Sequence, residues 1–213
     1  MQLIRAGELG LPEPGAEGFD FYEEDHLYTL NTKRIPATTQ ILNMLAPFPW
    51  PNIEAMERGS HVHLATALYD EGDLDLSTLD PEYLNYLEGW KKFLSEHPEL
   101  RETRVVVEAP IYAKAPRLSG LEYGATLDRI YPDLGIAVDI KTGSPFSKRY
   151  SLQFQAYLHA ARTWDLKLKH MLEVHLFGDG EYKLMGKHKY TAAKFNIFRS
   201  GITVWKYRNG KVA

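Results

Sequence analysis

Two residues of opposite charge stand two positions apart in the segment AVDIKTG, at residues 137–143. In an extended strand, Asp139 and Lys141 leave the same face, whereas Ile140 between them points to the opposite face, toward a core. The carboxylate can bind a hard divalent cation, and the ammonium can orient an attacking water or stabilise charge that develops on a phosphate. The same spacing also occurs on solvated strand faces with a weak surface ion pair.

A second carboxylate belongs to the same region of the chain. Asp128 ends the apolar segment YGATLD, and the turn PDLG separates that segment from IAVDIKTG. The two segments therefore predict an antiparallel pair of strands in which Asp128 and Asp139 converge. Two carboxylates, the Ile140 carbonyl and water oxygens suit Mg²⁺ or Mn²⁺. Alternatively, Asp128 is an ordinary residue at a strand end.

A predicted helix earlier in the chain carries two histidines, in the segment RGSHVHLATAL. Positions two apart on a helix diverge by roughly 200°, so at most one of His61 and His63 faces a given site. One reading is a nitrogen ligand that completes a metal site. The other is a partly buried or surface histidine with no ligand.

A later predicted helix carries Gln153 and Tyr157, four residues apart on one face. Because the helix follows the strand with Asp139 and Lys141, the pair could fix the lysine or hold a DNA phosphate. The alternative is a polar helix residue beside a tyrosine at the edge of the core.

The elements that must position these residues follow from the hydrophobic periodicity. After a hairpin and a short helix beginning near Gln40, the pattern predicts two helices, three strands, a helix, two strands and a final helix. We expect a single domain over residues 1–213, divided into a loose arm (1–19), the hairpin and short helix (20–50) and a core (51–213).

Composition excludes several classes of protein. None of the 213 residues is a cysteine, which rules out disulfides and cysteine-ligated iron–sulfur clusters. A net charge of -3 gives no global basic footprint for nucleic acid, although acidic metal ligands can offset a local basic patch. No apolar run approaches the roughly 18 residues of a membrane span. We therefore expect a soluble, cytoplasmic protein without a membrane partner.

Four segments together resemble the PD-(D/E)XK nuclease superfamily, in its RecB-like branch and nearest to the phage-type exonucleases. They occur in the family's order over residues 59–157: GSHVH, GATLDR, DIKTG and QFQAY. The hairpin HLYTLNTKRIPATTQIL also resembles the N-terminal part of the phage-type members. The resemblance implies an α/β fold with a restriction-endonuclease-like core, in which helices flank a central mixed sheet and the site lies at one sheet end.

The resemblance also implies a role for each matching residue. His63, rather than His61, falls at the family's histidine position. The metal ligands would be His63, Asp128, Asp139 and the Ile140 carbonyl, with Glu108 as a further acid that could support a second metal. Lys141 would be the catalytic lysine, flanked by Gln153 and Tyr157. The implied cofactor is Mg²⁺ or Mn²⁺, without an iron–sulfur cluster.

Basic and aromatic residues near these motifs are candidates for binding DNA. The candidate phosphate contacts are Lys114, Arg117, Arg129, Lys148 and Arg149. Tyr150 and Phe146 could stack on unpaired bases. The alternative is that Lys148 and Arg149 lie in a solvated loop and that the two aromatic residues anchor it.

The resemblance implies a metal-dependent deoxyribonuclease that acts as an exonuclease on single- or double-stranded DNA ends. The setting would be phage-type recombination, replication or repair, with a recombination or single-strand-binding protein as a further partner. One alternative is a non-cleaving DNA-binding or assembly module on the same fold, because fold alone does not guarantee activity. Another is an unrelated α/β protein in which DIKTG occurs by chance.

Overall fold

A five-stranded mixed sheet lies at the centre of the fold in a computed structural model, which describes residues 3–4, 18–47, 53–114, 122–143 and 148–210. Its strands follow the order β5-β6-β7-β8-β9. They are β5 (Val106–Lys114), β6 (Glu122–Tyr131), β7 (Ile136–Lys141), β8 (His170–Leu176) and β9 (Tyr182–His188). Only β7 and β8 run parallel. Parallel neighbours need a long crossover connection, and a helix supplies it here.

Helices cover both faces of this sheet. They are α1 (Thr38–Leu45), α2 (Ile53–Glu71), α3 (Pro81–Glu96), the short α4 (Pro98–Arg101), α5 (Lys148–Thr163) and α6 (Ala192–Arg208), with a 3-10 turn at Leu76–Thr78. On one face α5 packs with α1 and α6, and on the other face lie α2 and α3. The predicted fold class, a mixed sheet flanked by helices, is confirmed.

The parallel pairing of β7 with β8 determines which residues face each helical layer. Val138 and Ile140 of β7 join the core beneath α2 and α3, as the alternation of the segment predicts. Asp139 and Lys141 therefore point to the face that α5 covers. Their register partners on β8 are Glu173 and His175, which share that face.

A separate four-stranded antiparallel sheet precedes the helices. Its strands are β1 (Leu3–Ile4), β2 (Phe19–Tyr22), β3 (Leu27–Leu30) and β4 (Lys33–Ile35). The predicted hairpin is β3–β4, and its turn residues Asn31 and Thr32 both take positive φ, as tight hairpin turns require. Within the arm expected at residues 1–19, residues 3–4 pair with β2 and Phe19 begins that strand, while 5–17 lie outside the described residues.

The N-terminal sheet packs on the start of β6. The ring of Tyr28 lies so close to Gly124 that a Cβ there would be 2.1 Å from its Cγ. The backbone N–H of Gly124 donates to the Pro36 carbonyl at 2.9 Å. These contacts join the N-terminal sheet to the strand that carries Asp128.

The helix boundaries follow local capping chemistry. The sequence Asp80-Pro81 predicts a capped start for α3, and Asp80 accepts from the Glu82 N–H at 2.9 Å. By residue type, Thr38 or Thr39 is the expected cap of α1, but neither holds the cap position. Ala37 holds the cap position, and the Gln40 side chain accepts from its N–H at 3.1 Å. No helix among the described residues combines the length and hydropathy of a membrane span.

Candidate active site

Three side chains from three elements converge at the end of the sheet. One ligand atom from each of His63, Glu108 and Asp128 lies within 4.8 Å of the others. The Nδ1 atom of His63 is 3.5 Å from Glu108 Oε1 and 3.6 Å from Asp128 Oδ2. One imidazole nitrogen and two carboxylates form a donor set that suits a divalent cation. The structure thus brings together three of the residues predicted from sequence.

Helix α2 directs only one of its two histidines to this cluster. His61 points away, where it bonds to the Glu57 carbonyl at 2.8 Å and stacks on Tyr83 with ring centroids 4.9 Å apart. His63 instead faces the sheet, and its Nε2–H donates to the Ile140 carbonyl at 3.1 Å. That bond leaves Nδ1 directed at the two carboxylates, which is the orientation that a metal ligand needs.

The backbone of Ile140 organises the cluster through both its N–H and its carbonyl. Its N–H donates to Asp128 Oδ2 at 2.6 Å, and its carbonyl accepts from His63. Asp128 is almost fully buried, so this bond offsets part of the cost of removing its carboxylate from water. The strand that holds Asp139 thereby fixes the positions of two other ligand candidates, Asp128 and His63.

Asp139 lies beside this cluster and outside the group of three. Its side chain is fully buried, and within the described part of the chain its Oδ1 has no hydrogen-bond partner. Its Oδ2 forms a close ion pair with the Lys141 ammonium, which sits on the same strand face. A buried carboxylate with unmet acceptor capacity fits a site that takes a cation.

Burial and charge change the titration of the site. Burial alone would lower the pKa of His63, but Asp128 and Glu108 outweigh it and raise the pKa to about 9. Burial raises the pKa of Asp139, and the neighbouring Lys141 opposes that rise. For Lys141, burial favours the neutral amine, yet Asp139 and Asp128 raise its pKa above the usual range. Such perturbed groups are concentrated at functional sites.

A backbone irregularity aims Glu108 at the site. Its φ is 44°, a left-handed value that non-glycine residues adopt at a cost. Val106 and Ala109 both join the core beneath α5, although residues three apart in a regular strand face opposite ways. In β6, Leu127 and Ile130 show the same change of phase. Both strands therefore break alternation beside the carboxylates, as strands do next to active sites.

Helix α5 places Tyr150 against the lysine and carries the predicted pair of Gln153 and Tyr157. Gln153 Nε2 donates to the Tyr157 hydroxyl at 2.7 Å, and both side chains are buried. Burial raises the pKa of Tyr157 well above its usual value, so the hydroxyl stays protonated. The Lys141 Nζ lies 5.1 Å from the ring centroid of Tyr150, a cation–π distance. Tyr150 thus contacts the lysine, and the predicted pair of Gln153 and Tyr157 is hydrogen-bonded.

The prediction that Arg129 binds a DNA phosphate is wrong. Its side chain is 0% exposed and pairs with Asp70 at 2.5 Å and with Glu108 at 3.3 Å. Its guanidinium also donates to the Thr66 hydroxyl at 3.0 Å and to the Asp128 carbonyl at 2.6 Å. Arg129 therefore pairs with the buried Asp70 and with Glu108 of the cluster, and its buried guanidinium has no exposed face for a phosphate.

Arg149 is also wrongly predicted as a phosphate contact. It is buried, and it donates to Asn43 Oδ1 at 2.7 Å and to the Ala46 carbonyl at 2.8 Å. This arginine ties α5 to α1. Lys148 is exposed at the first position of α5, Lys114 ends β5, and Arg117 and Phe146 lie outside the described residues.

Two groups of polar residues near the site were absent from the sequence-based set. Asp70 accepts from Trp90 Nε1 at 2.9 Å as well as from Arg129. Glu173 and His175, on the strand next to β7, are buried and bonded to each other at 2.9 Å. An acid and a histidine two apart in the apolar segment HMLEVHL were a signal for the second group.

Comparison with known proteins supports the fold. No family model and no curated protein sequence matches the chain. The structure is similar to that of a "putative exonuclease" from Eubacterium rectale, with TM-score 0.55 and 12% identity over 84% of this chain and 83% of that chain. A phage related exonuclease from Haemophilus somnus 129PT aligns with TM-score 0.41 and 8% identity, over 81% of this chain and 92% of that chain. At 12% identity, the likeness to the Eubacterium rectale protein is one of fold.

Proposed function

We propose that the protein is a divalent-metal-dependent deoxyribonuclease of the PD-(D/E)XK type. The observation that carries the proposal is the convergence of His63, Glu108 and Asp128 beside the buried ion pair of Asp139 with Lys141. A binding module has no need to gather three acids at a surface that must attract a polyanion. A hydrolase needs those acids for its cation and a lysine for the phosphate.

The chain's own residues would divide the work as follows. His63, Asp128, Asp139 and the Ile140 carbonyl would hold Mg²⁺ or Mn²⁺, with Glu108 as an additional acidic ligand. The cation would supply Lewis acidity toward the phosphate and a more acidic water. Since the Ile140 carbonyl already accepts from His63 Nε2–H, its second lone pair is the one left for the cation.

Lys141 would act on the substrate directly. The carboxylate of Asp139 and the ring of Tyr150 hold its ammonium near the cluster. Because the pKa of Lys141 is raised, the group stays cationic at neutral pH. A cation held in this place can donate a hydrogen bond to the attacking water or to a phosphate oxygen, and it can stabilise the charge that develops there.

We further propose that the enzyme acts on DNA ends, as an exonuclease in phage-type recombination, replication or repair. The structural similarity to a "putative exonuclease" from Eubacterium rectale supports this reading, together with the motif order of the sequence. Lys148 is exposed at the start of α5 and remains a candidate phosphate contact. Tyr150 lies against Lys141, so a stacked base would have to share its ring.

Purified protein incubated with Mn²⁺ and either end-labelled linear DNA or closed circular DNA tests the proposal. We expect mononucleotides or short oligonucleotides from the linear substrate and an intact circle. Cleavage of the circle would show that the protein is an endonuclease and would contradict the exonuclease assignment. Salt-dependent binding that survives Asp139→Ala, with no cleavage of either substrate under Mg²⁺ or Mn²⁺, would identify a non-cleaving module.

A further inference from the structure

A chain of three hydrogen-bonded side chains lies next to the proposed site and has no part in the mechanism above. Glu173 on β8 accepts at both oxygens, from His175 Nε2 at 2.9 Å and from His188 Nε2 at 2.8 Å. His175 is 0% exposed, and His188 on β9 is 21% exposed at the rim. These three hydrogen-bonded side chains therefore connect the protein surface with the interior of the sheet.

The ring of His175 is held at both nitrogens. Its Nδ1 lies 3.3 Å from the carbonyl of Gly143, and its Nε2 lies against the Glu173 carboxylate. Because both nitrogens have hydrogen-bond partners, the ring has one orientation, and it links the Glu173 carboxylate to the backbone at Gly143.

The same ring touches the surroundings of Lys141 at three points. His175 is the register partner of Lys141 across the parallel pair, so the two side chains share one face of the sheet. Gly143, which His175 bonds, lies two residues after the lysine. Tyr150, whose ring is 6.0 Å from that of His175, is also the ring over the Lys141 ammonium.

The cost of this arrangement argues for a specific role. Burying a carboxylate and a histidine stabilises a sheet no better than apolar residues of the same volume would. The fold also leaves room for these hydrogen-bonded side chains at Gly186, the register partner of Glu173. A Cβ added there would lie 2.8 Å from His188 Nε2. A glycine there lets His188 fold back onto the glutamate.

We propose that Glu173 and His175 are positioning residues for Lys141, with His188 as the anchor of the glutamate. They act through two contacts. The bond to the Gly143 carbonyl fixes the backbone after β7, and the contact with the Tyr150 ring fixes the side from which the substrate can approach the Lys141 ammonium. This inference rests on the proposed function, in which Lys141 acts on the phosphate. The role assigned to Glu173 and His175 is to place the Lys141 ammonium precisely. Small misplacements of a reacting group lower the reaction rate by large factors.

The test compares His175→Phe with His170→Gln, a matched histidine change at the first position of the same strand. Phenylalanine keeps a ring beside Tyr150 and removes both hydrogen bonds. We expect His175→Phe to lower the cleavage rate at saturating DNA by about tenfold to a hundredfold. The KM for DNA, the Mn²⁺ affinity and the circular dichroism spectrum should stay near wild type. His170→Gln should cleave at the wild-type rate.

A second comparison separates positioning from general stability. In a Lys141→Met background, adding His175→Phe should cause no further loss, because the residue acts only through the lysine. A further loss there, an unchanged rate in the single variant, or a parallel fall in Mn²⁺ affinity would overturn the inference. If His175→Phe does not fold, His188→Phe at the rim must show the same pattern. If wild type and His170→Gln both fail to cleave, the proposed function itself fails, an outcome distinct from the others.

Discussion

The backbone N–H of Ile140 donates a 2.6 Å hydrogen bond to the carboxylate of Asp128, on the neighbouring strand. The carbonyl of the same residue accepts from His63, on a helix of the opposite layer. The backbone of one residue, between Asp139 and Lys141, thus fixes two candidate metal ligands that are distant in sequence. This relationship explains how two neighbouring strands inside the sheet hold candidate ligands close together.

Metal affinity should rise with pH because of His63. The pKa of His63 is raised to about 9 in the metal-free protein, so the imidazole must lose a proton before its Nδ1 can bind a cation. Calorimetry in buffers of different ionisation enthalpy should show about one proton released per Mn²⁺ near pH 7. His63→Gln should abolish this release, whereas His61→Gln should not. Equal proton release in both variants would contradict the assignment.

The same shift sets the stability of the metal-free protein at alkaline pH. Because the folded pKa of His63 lies above the unfolded value of 6.5, its stabilising contribution is complete below pH 6.5 and is lost as pH rises through about 9. Urea unfolding with EDTA present, at pH 6.5 and pH 9.5, should show that loss in wild type and a smaller one in His63→Gln. The quantity compared is the change in the free energy of unfolding between the two pH values, taken for each protein separately. The effect of the substitution on packing cancels in that difference.

Arg129 should prove structural, and Lys148 should prove to contact DNA. Removing the charge in Arg129→Met leaves Asp70 and Glu108 without their buried partner, so the free energy of unfolding should fall by about 3–5 kcal/mol. Lys148→Ala should leave stability unchanged and reduce the salt slope of DNA binding by about one. A smaller salt slope in a folded Arg129→Met protein would restore Arg129 as a phosphate contact.

Gly124 should tolerate no side chain. The Cβ of alanine would lie 2.1 Å from Tyr28 Cγ, within the interface of the N-terminal sheet, so Gly124→Ala should cost about 3 kcal/mol or prevent folding. Gly59→Ala is the control, since its nearest neighbour is Thr142 Oγ1 at 3.7 Å and its helical position favours alanine by up to about 1 kcal/mol. Thermal unfolding that ranks the two alike would contradict the contact.

Several features of the site could be predicted from sequence because they depend on local pattern. The alternation of AVDIKTG places Asp139 and Lys141 on one face and Ile140 in the core, as observed. Helical geometry allowed only one of two histidines to face the site, and the structure brings His63 there. The dipeptide Asp179-Gly180 is typical of hairpin turns and predicts the turn between β8 and β9, where Gly180 takes φ 85°.

Other features depend on tertiary context that a single sequence does not carry. The irregularity at Glu108 changes the phase of β5, so a regular alternation predicts the wrong direction for its side chain. In the sequence Arg129 follows an acid at an expected strand end, which suggests exposure. In the structure it is buried against Asp70, from a helix fifty-nine residues earlier. The bond between Glu173 and His188 likewise joins two strands across a hairpin.

The most direct measurement is the rate of nucleotide release from linear DNA with Mn²⁺, for wild type and three variants. Asp139→Asn and Lys141→Met remove the two members of the buried ion pair, and Asp133→Asn changes an exposed acid in the turn between β6 and β7. We expect wild type and Asp133→Asn to cleave equally and the other two, still folded, to lose at least about a hundredfold in rate. Equal cleavage by all four proteins, or none by wild type, would contradict the account.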